Sequence, residues 1–132
     1  MTSAADSRTM TEGASRALTA DERGVLELLL SIPFDGADAL RVQARDAVVT
    51  DHCACGCPSI ALAVPVTAPT AAVSTSLVPA MGEVASVDDE PAGQIILLLT
   101  DGRLSYLEYI WPTTAPPSSW PSLARITVGL AG

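Results

Sequence analysis

Residues 51–58, Asp51-His52-Cys53-Ala54-Cys55-Gly56-Cys57-Pro58, hold the only histidine and all three cysteines of a 132-residue chain. Thiolate and imidazole donors gathered in so short a segment raise the chemistry of soft metals, zinc or copper, and of thiol redox reactions. Strand geometry opposes the simplest metal reading. In an extended strand Cys53 and Cys55 lie roughly 6.6 Å apart along the chain. Two thiolates on one zinc ion lie under about 4.6 Å apart. Gly56 offers a turn that would bring Cys55 and Cys57 together, but Pro58 pushes Cys57 towards extended backbone. The expectation is that Cys53, Cys55 and Cys57 alternate onto one strand face as small core residues, with no cofactor. A zinc or copper site on Cys53, Cys55, Cys57 and His52 is the alternative.

Catalysis has little to stand on. His52 is next to Cys53 in sequence, so on a strand the two side chains point to opposite faces and make a poor nucleophile–base pair. No serine sits in a G-x-S-x-G elbow, and no glycine-rich phosphate loop is present. Asp88-Asp89-Glu90 lacks the spaced oxygen ligands and central glycine of a calcium loop and reads as solvated. Glu108 is the other carboxylate that stands out. The spacing places it on the apolar face of a hairpin beside Tyr106, where a carboxylate is unfavourable unless paired. The two residues are a candidate pocket, and a sheet-end carboxylate paired with Arg41, Arg45 or Arg125, or reaching solvent, is the plainer reading. The expectation is a protein that is not an enzyme.

The elements that must position these residues follow from pattern. Residues 1–17 are small and polar without periodicity and read as a flexible tail, leaving 18–132 as a single domain. Thr19-Ala20-Asp21-Glu22 has capping-box form, with Val25, Leu26, Leu29 and Leu30 at helical spacing and Pro33 ending the run. A second helix is expected from Asp35 as N-cap, with Ala37, Leu40, Val42 and Ala44 as its apolar stripe. Strands are expected over Ala47–Cys53 and Ser59–Val66, an acidic loop over Met81–Gly93, and a short strand over Leu123–Val128. The strongest local signal is Gln94–Thr100, Asp101-Gly102, Arg103–Trp111, a two-residue hairpin of the type I′ kind. That turn pairs Leu99 with Leu104, Leu97 with Tyr106 and Ile95 with Glu108. The order predicts an α+β domain: two N-terminal helices on one face of an antiparallel sheet of four to five strands.

Composition narrows the partners. The chain carries 7 basic and 15 acidic residues, a formal charge of -8, which argues against a nucleic-acid partner because phosphate tracking needs clustered Lys and Arg. The longest aliphatic runs fall far short of the roughly 20 residues needed to span a bilayer. No apolar signal segment opens the chain, and clustered cysteines do not form a secreted disulfide framework. A cytoplasmic protein without a membrane partner is expected.

The segment Cys53-Ala54-Cys55-Gly56-Cys57-Pro58-Ser59-Ile60, the hairpin Asp101-Gly102-Arg103-Leu104-Ser105-Tyr106-Leu107-Glu108 and the later Trp120-Pro121 together resemble short actinobacterial proteins. Over about residues 18–128 the chain is similar to these proteins, and the resemblance implies no particular activity. The hairpin is also similar in form to the small α+β immunity proteins of bacterial toxin systems, an analogy of architecture. The function expected is a non-enzymatic interaction module that binds a protein partner or pairs as a homodimer, an immunity-like inhibitor being one version. The alternative is a metal- or thiol-dependent protein acting through Cys53, Cys55 and Cys57.

Overall fold

The computed structural model describes residues 15–72, 76–87, 91–113 and 115–130. Among them the chain runs β1 (Arg16–Ala17), α1 (Ala20–Leu29), α2 (Ala37–Arg45), β2 (Val48–His52), β3 (Ile60–Ala63), β4 (Ala80–Val84), β5 (Gly93–Thr100) and β6 (Arg103–Ile110). A 3-10 turn (Leu123–Arg125) and β7 (Ile126–Leu130) complete it. The strands form one antiparallel sheet in the order β1-β2-β3-β6-β5-β4-β7. The α+β class with two helices on the sheet holds, and the sheet has seven strands where four to five were expected.

The capping box forms as the sequence predicts. The Glu22 backbone N–H donates to Thr19 Oγ1 at 3.1 Å, and the Thr19 N–H donates to a Glu22 carboxylate oxygen at 2.8 Å. Val25, Leu26, Leu29 and Leu30 are all buried, which locks α1 onto the core. The second helix starts one residue later than expected, with Gly36 rather than Asp35 at its N-cap and no side-chain cap. It packs against β6, while α1 packs against β4. Its buried stripe is Ala37, Leu40, Gln43 and Ala44, so a polar residue takes a place the apolar pattern does not flag.

Two extra strands account for most of the difference in the sheet. Arg16 and Ala17, the end of the expected tail, pair with Val49 and Val48 as β1; the tail's residues 1–14 lie outside the described residues. Residues 80–84, all but the first inside the segment read as an acidic loop, form β4 between β5 and β7, and that segment's residues 88–90 lie outside the described residues. Its buried positions Ala80, Gly82 and Val84 alternate with exposed Glu83 and half-buried Met81, a strand pattern written in small residues. The expected strand over Ser59–Val66 shortens to Ile60–Ala63, two residues before Pro65.

The hairpin turn is of the expected type: Asp101 and Gly102 both have positive φ, 52° and 75°. Leu99 faces Leu104 as predicted, but a bulge then shifts the register, so that Leu98 faces Tyr106, Leu97 faces Leu107 and Ile95 faces Tyr109. Ser105 is the extra residue, and beyond it every side chain of β6 changes face. The physical reason is burial. The straight register would turn Tyr106 and Glu108 into the core, whereas the bulged one buries Leu107 and Tyr109 and turns the carboxylate outwards.

One buried amide ties α2 to that turn. Gln43 is fully buried, its Nε2 donates to the carbonyls of Pro69 and Gly102 at 2.7 and 2.9 Å, and its Oε1 accepts the Leu104 N–H at 2.9 Å. Trp120 stacks on Tyr109 with ring centroids 5.8 Å apart, which anchors the proline-rich segment against the sheet. Among the described residues no helix is long and apolar enough to cross a membrane.

Candidate metal centre

The cysteines do not lie on a strand. β2 ends at His52 and β3 begins at Ile60, so Cys53-Ala54-Cys55-Gly56-Cys57-Pro58-Ser59 is the connection between them. Two backbone bonds shape it: Cys53 N–H donates to Ser59 C=O at 3.2 Å, and Gly56 N–H donates to Cys53 C=O at 3.3 Å. Gly56 has φ 92°, the left-handed region that a side chain disfavours. This turn reverses the chain, and Ser59, buried, closes the loop by accepting the Tyr109 N–H at 2.9 Å on its Oγ.

The consequence is convergence of all three thiols. The Sγ atoms of Cys53, Cys55 and Cys57 lie within 4.8 Å of one another. Cys53 and Cys55 Sγ approach to 2.7 Å, and the Cys57 N–H points at Cys55 Sγ at 3.4 Å. The distance argument for an extended strand therefore does not apply, because the backbone turns over Ala54 and Cys55, and again at Gly56, instead of running on. Nor are the three thiols a core stripe. Cys57 is buried, Cys53 half-buried and Cys55 exposed. A loop that holds three sulfurs together with one open to solvent can take an ion from solution.

The other residues singled out from the sequence divide around this loop. His52 is exposed at the end of β2, and its Nε2 lies 3.5 Å from Nη2 of Arg16, outside the sulfur cluster. Asp51 Oδ1 accepts the His52 backbone N–H at 2.8 Å. Tyr106 and Glu108 sit on the outer face of β6, and Tyr106 pairs with Ala61 one residue into β3. Burial first, and then negative charge on Cys53, Cys57, Glu108 and Cys55, pushes the Tyr106 phenol up to about 12. The phenol therefore stays protonated at neutral pH beside the thiols, a neighbourhood that the register shift creates.

Arg16 is the residue that sequence reasoning missed. Its two Nη atoms donate to the two carboxylate oxygens of Glu22 at 2.8 and 2.9 Å while it reaches His52. It joins the start of α1 to the strand that leads into the cysteine loop. Glu22 responds electrostatically: burial alone would raise its carboxyl, but hydrogen bonds from Arg16 and Thr19 outweigh burial and hold it below its ordinary value. Among the described residues the ion pairs are Arg16–Glu22, Arg23–Glu27 and Arg41–Asp38, and none involves Glu108. Arg41 is committed to the segment that follows α1, donating to the carbonyls of Leu30 and Ile32 at 2.6 and 3.1 Å.

A cavity of about 600 Å³ opens away from the cysteine loop, lined by Tyr109, Trp111, Pro116, Pro117, Trp120 and Arg125 among others. Among the described residues its walls are aromatic and proline-rich, with no cluster of titratable groups. Compared with protein-family models, with curated proteins and with solved structures, the chain finds no match in any of the three.

Proposed function

We propose that the protein binds a thiophilic metal ion through Cys53, Cys55 and Cys57. The observation that supports this reading is the convergence of the three sulfurs within 4.8 Å on a partly exposed loop. Residues that merely filled a core would be buried together, and here the most exposed thiol is the central one. The loop also has a rigid frame, since antiparallel strands flank it on both sides and Ser59 pins its end to β6. The test is elemental analysis of reduced protein before and after titration with cadmium(II), a soft thiolate probe, with circular dichroism as a control on folding. The expected result is about one equivalent of bound metal that is lost in Cys55→Ser. Wild-type protein that takes up no cadmium would overturn the reading.

A second reading is an interaction module for a protein partner or a second copy of the chain. It draws on Ile96, Leu98 and Tyr106, which share the sheet face away from the core, and on the edge strand β7, where Leu130 is 58% exposed. Light scattering tests the homodimer version: the mass of a dimer supports it, and a monomer at high concentration removes it.

A further inference from the structure

Resting on the thiol-metal reading, we infer that the ion the loop takes is monovalent copper, held by three thiolates in trigonal coordination, rather than zinc. The argument is one of ligand count and softness. Three sulfurs around one ion at a metal–sulfur distance near 2.3 Å stand about 4.0 Å apart. The sulfurs of Cys53, Cys55 and Cys57 already lie within 4.8 Å of one another. The close Cys53–Cys55 pair opens by side-chain rotation, because neither thiol is fully buried.

A structural zinc site takes four protein ligands in a tetrahedron and a three-ligand zinc site completes itself with water; this loop offers three soft thiolates and no fourth side chain, the set that monovalent copper matches without a hard oxygen ligand. His52 is exposed, with its Nε2 3.5 Å from Nη2 of Arg16, and its ring is outside the cluster. Asp51 directs a carboxylate oxygen to the His52 N–H. Glu108, on β6, is likewise outside the cluster. Monovalent copper has a filled d shell, forms its strongest bonds to soft thiolates and is satisfied by three of them. Binding releases the thiol protons to solvent, and no electron is transferred because the ion enters already reduced.

The test is an anaerobic competition on the reduced 132-residue chain. Copper(I) is presented as its bicinchoninate complex, with zinc added in roughly hundredfold excess. The expected result is transfer of about one equivalent of copper(I) to the protein, unaffected by the zinc, with affinity lowered about 100-fold or more in Cys55→Ser and Cys53→Ser. His52→Ala leaves the affinity within about threefold, and X-ray absorption shows sulfur neighbours without nitrogen or oxygen. Displacement of copper by zinc, or a large loss of affinity in His52→Ala, overturns the copper assignment and leaves the thiol-metal reading in place. Failure to take up copper(I), zinc and cadmium(II) alike overturns both.

Discussion

Strand β6 separates two connections of opposite character. At its start the Asp101-Gly102 turn joins β5 to β6 in two residues. Towards its other end lies the seven-residue loop from Cys53 to Ser59, which joins β2 to β3 and is pinned by the Tyr109–Ser59 bond. The short turn has its backbone groups enclosed: Gly102 is buried, and its carbonyl accepts from both Gln43 and Ala71. The long loop has two internal backbone bonds and leaves Ala54, Cys55 and Gly56 exposed. A connection whose buried carbonyl is held by two donors positions the sheet. One with donor atoms left over can hold a ligand. The same fold supplies both because the sheet's rigidity is set by its core and not by its loops.

Glycine substitutions break this comparison most sharply. Gly102→Ala is expected to destabilise by about 3 kcal/mol, lowering Tm by roughly 10 °C. Its φ is +75°, and a Cβ there would lie 2.5 Å from the Ala71 carbonyl oxygen, so backbone must move. Chemical denaturation measures this effect, and metal uptake by the folded fraction should be unchanged. Gln43→Leu comes next, at about 2 kcal/mol, because it leaves the buried Leu104 N–H without an acceptor. A Gln43→Leu protein as stable as wild type would show that the turn does not need its clamp.

The anchor near the cysteine loop is electrostatic and so depends on pH. Glu22→Gln is expected to cost about 1.5 kcal/mol near pH 7 by weakening the Arg16 fork. The Glu22 carboxyl is depressed in the folded state, so its contribution is fully present above the ordinary value of 4.5 and is lost as pH falls through the folded value. Urea titrations of wild type and variant should therefore converge as pH is lowered from 4.5 through the folded value. The smallest effect expected is that of Gly56→Ala, about 1 kcal/mol. Its φ of +92° disfavours a side chain, but a Cβ there would meet nothing within 4 Å. Comparing Gly56→Ala with Gly102→Ala separates backbone strain from packing: similar losses would mean that enclosure of the short turn contributes nothing.

Local chemistry carries far in this chain. The capping box at Thr19 and Glu22, the buried stripe of α1 and the type I′ turn at Asp101-Gly102 each need only residues a few positions apart, and each forms as the pattern predicts. Strand β4 escapes the pattern because Ala80 and Gly82 are too small to mark an apolar face, and they are buried only once β5 and β7 lie on either side. The hairpin beyond Leu99 escapes it because turn type sets the register only up to the first bulge. Where the bulge falls depends on which face meets the helices.

The amino-acid order alone specifies that three thiols fall within five positions, that a glycine sits between two of them, and that β-prone residues flank the group. Whether those thiols spread along a strand or converge is a question of where β2 stops. That stop follows from long-range pairing: His52 faces Ile60 across β2 and β3, Ile60 faces Leu107 on β6, and Ser59 is held by Tyr109. With both ends of the loop fixed by partners up to 50 positions away, the chain between them must turn back, and Gly56 is the residue that permits it. The donors are a property of composition, and their convergence is a property of the sheet that surrounds them.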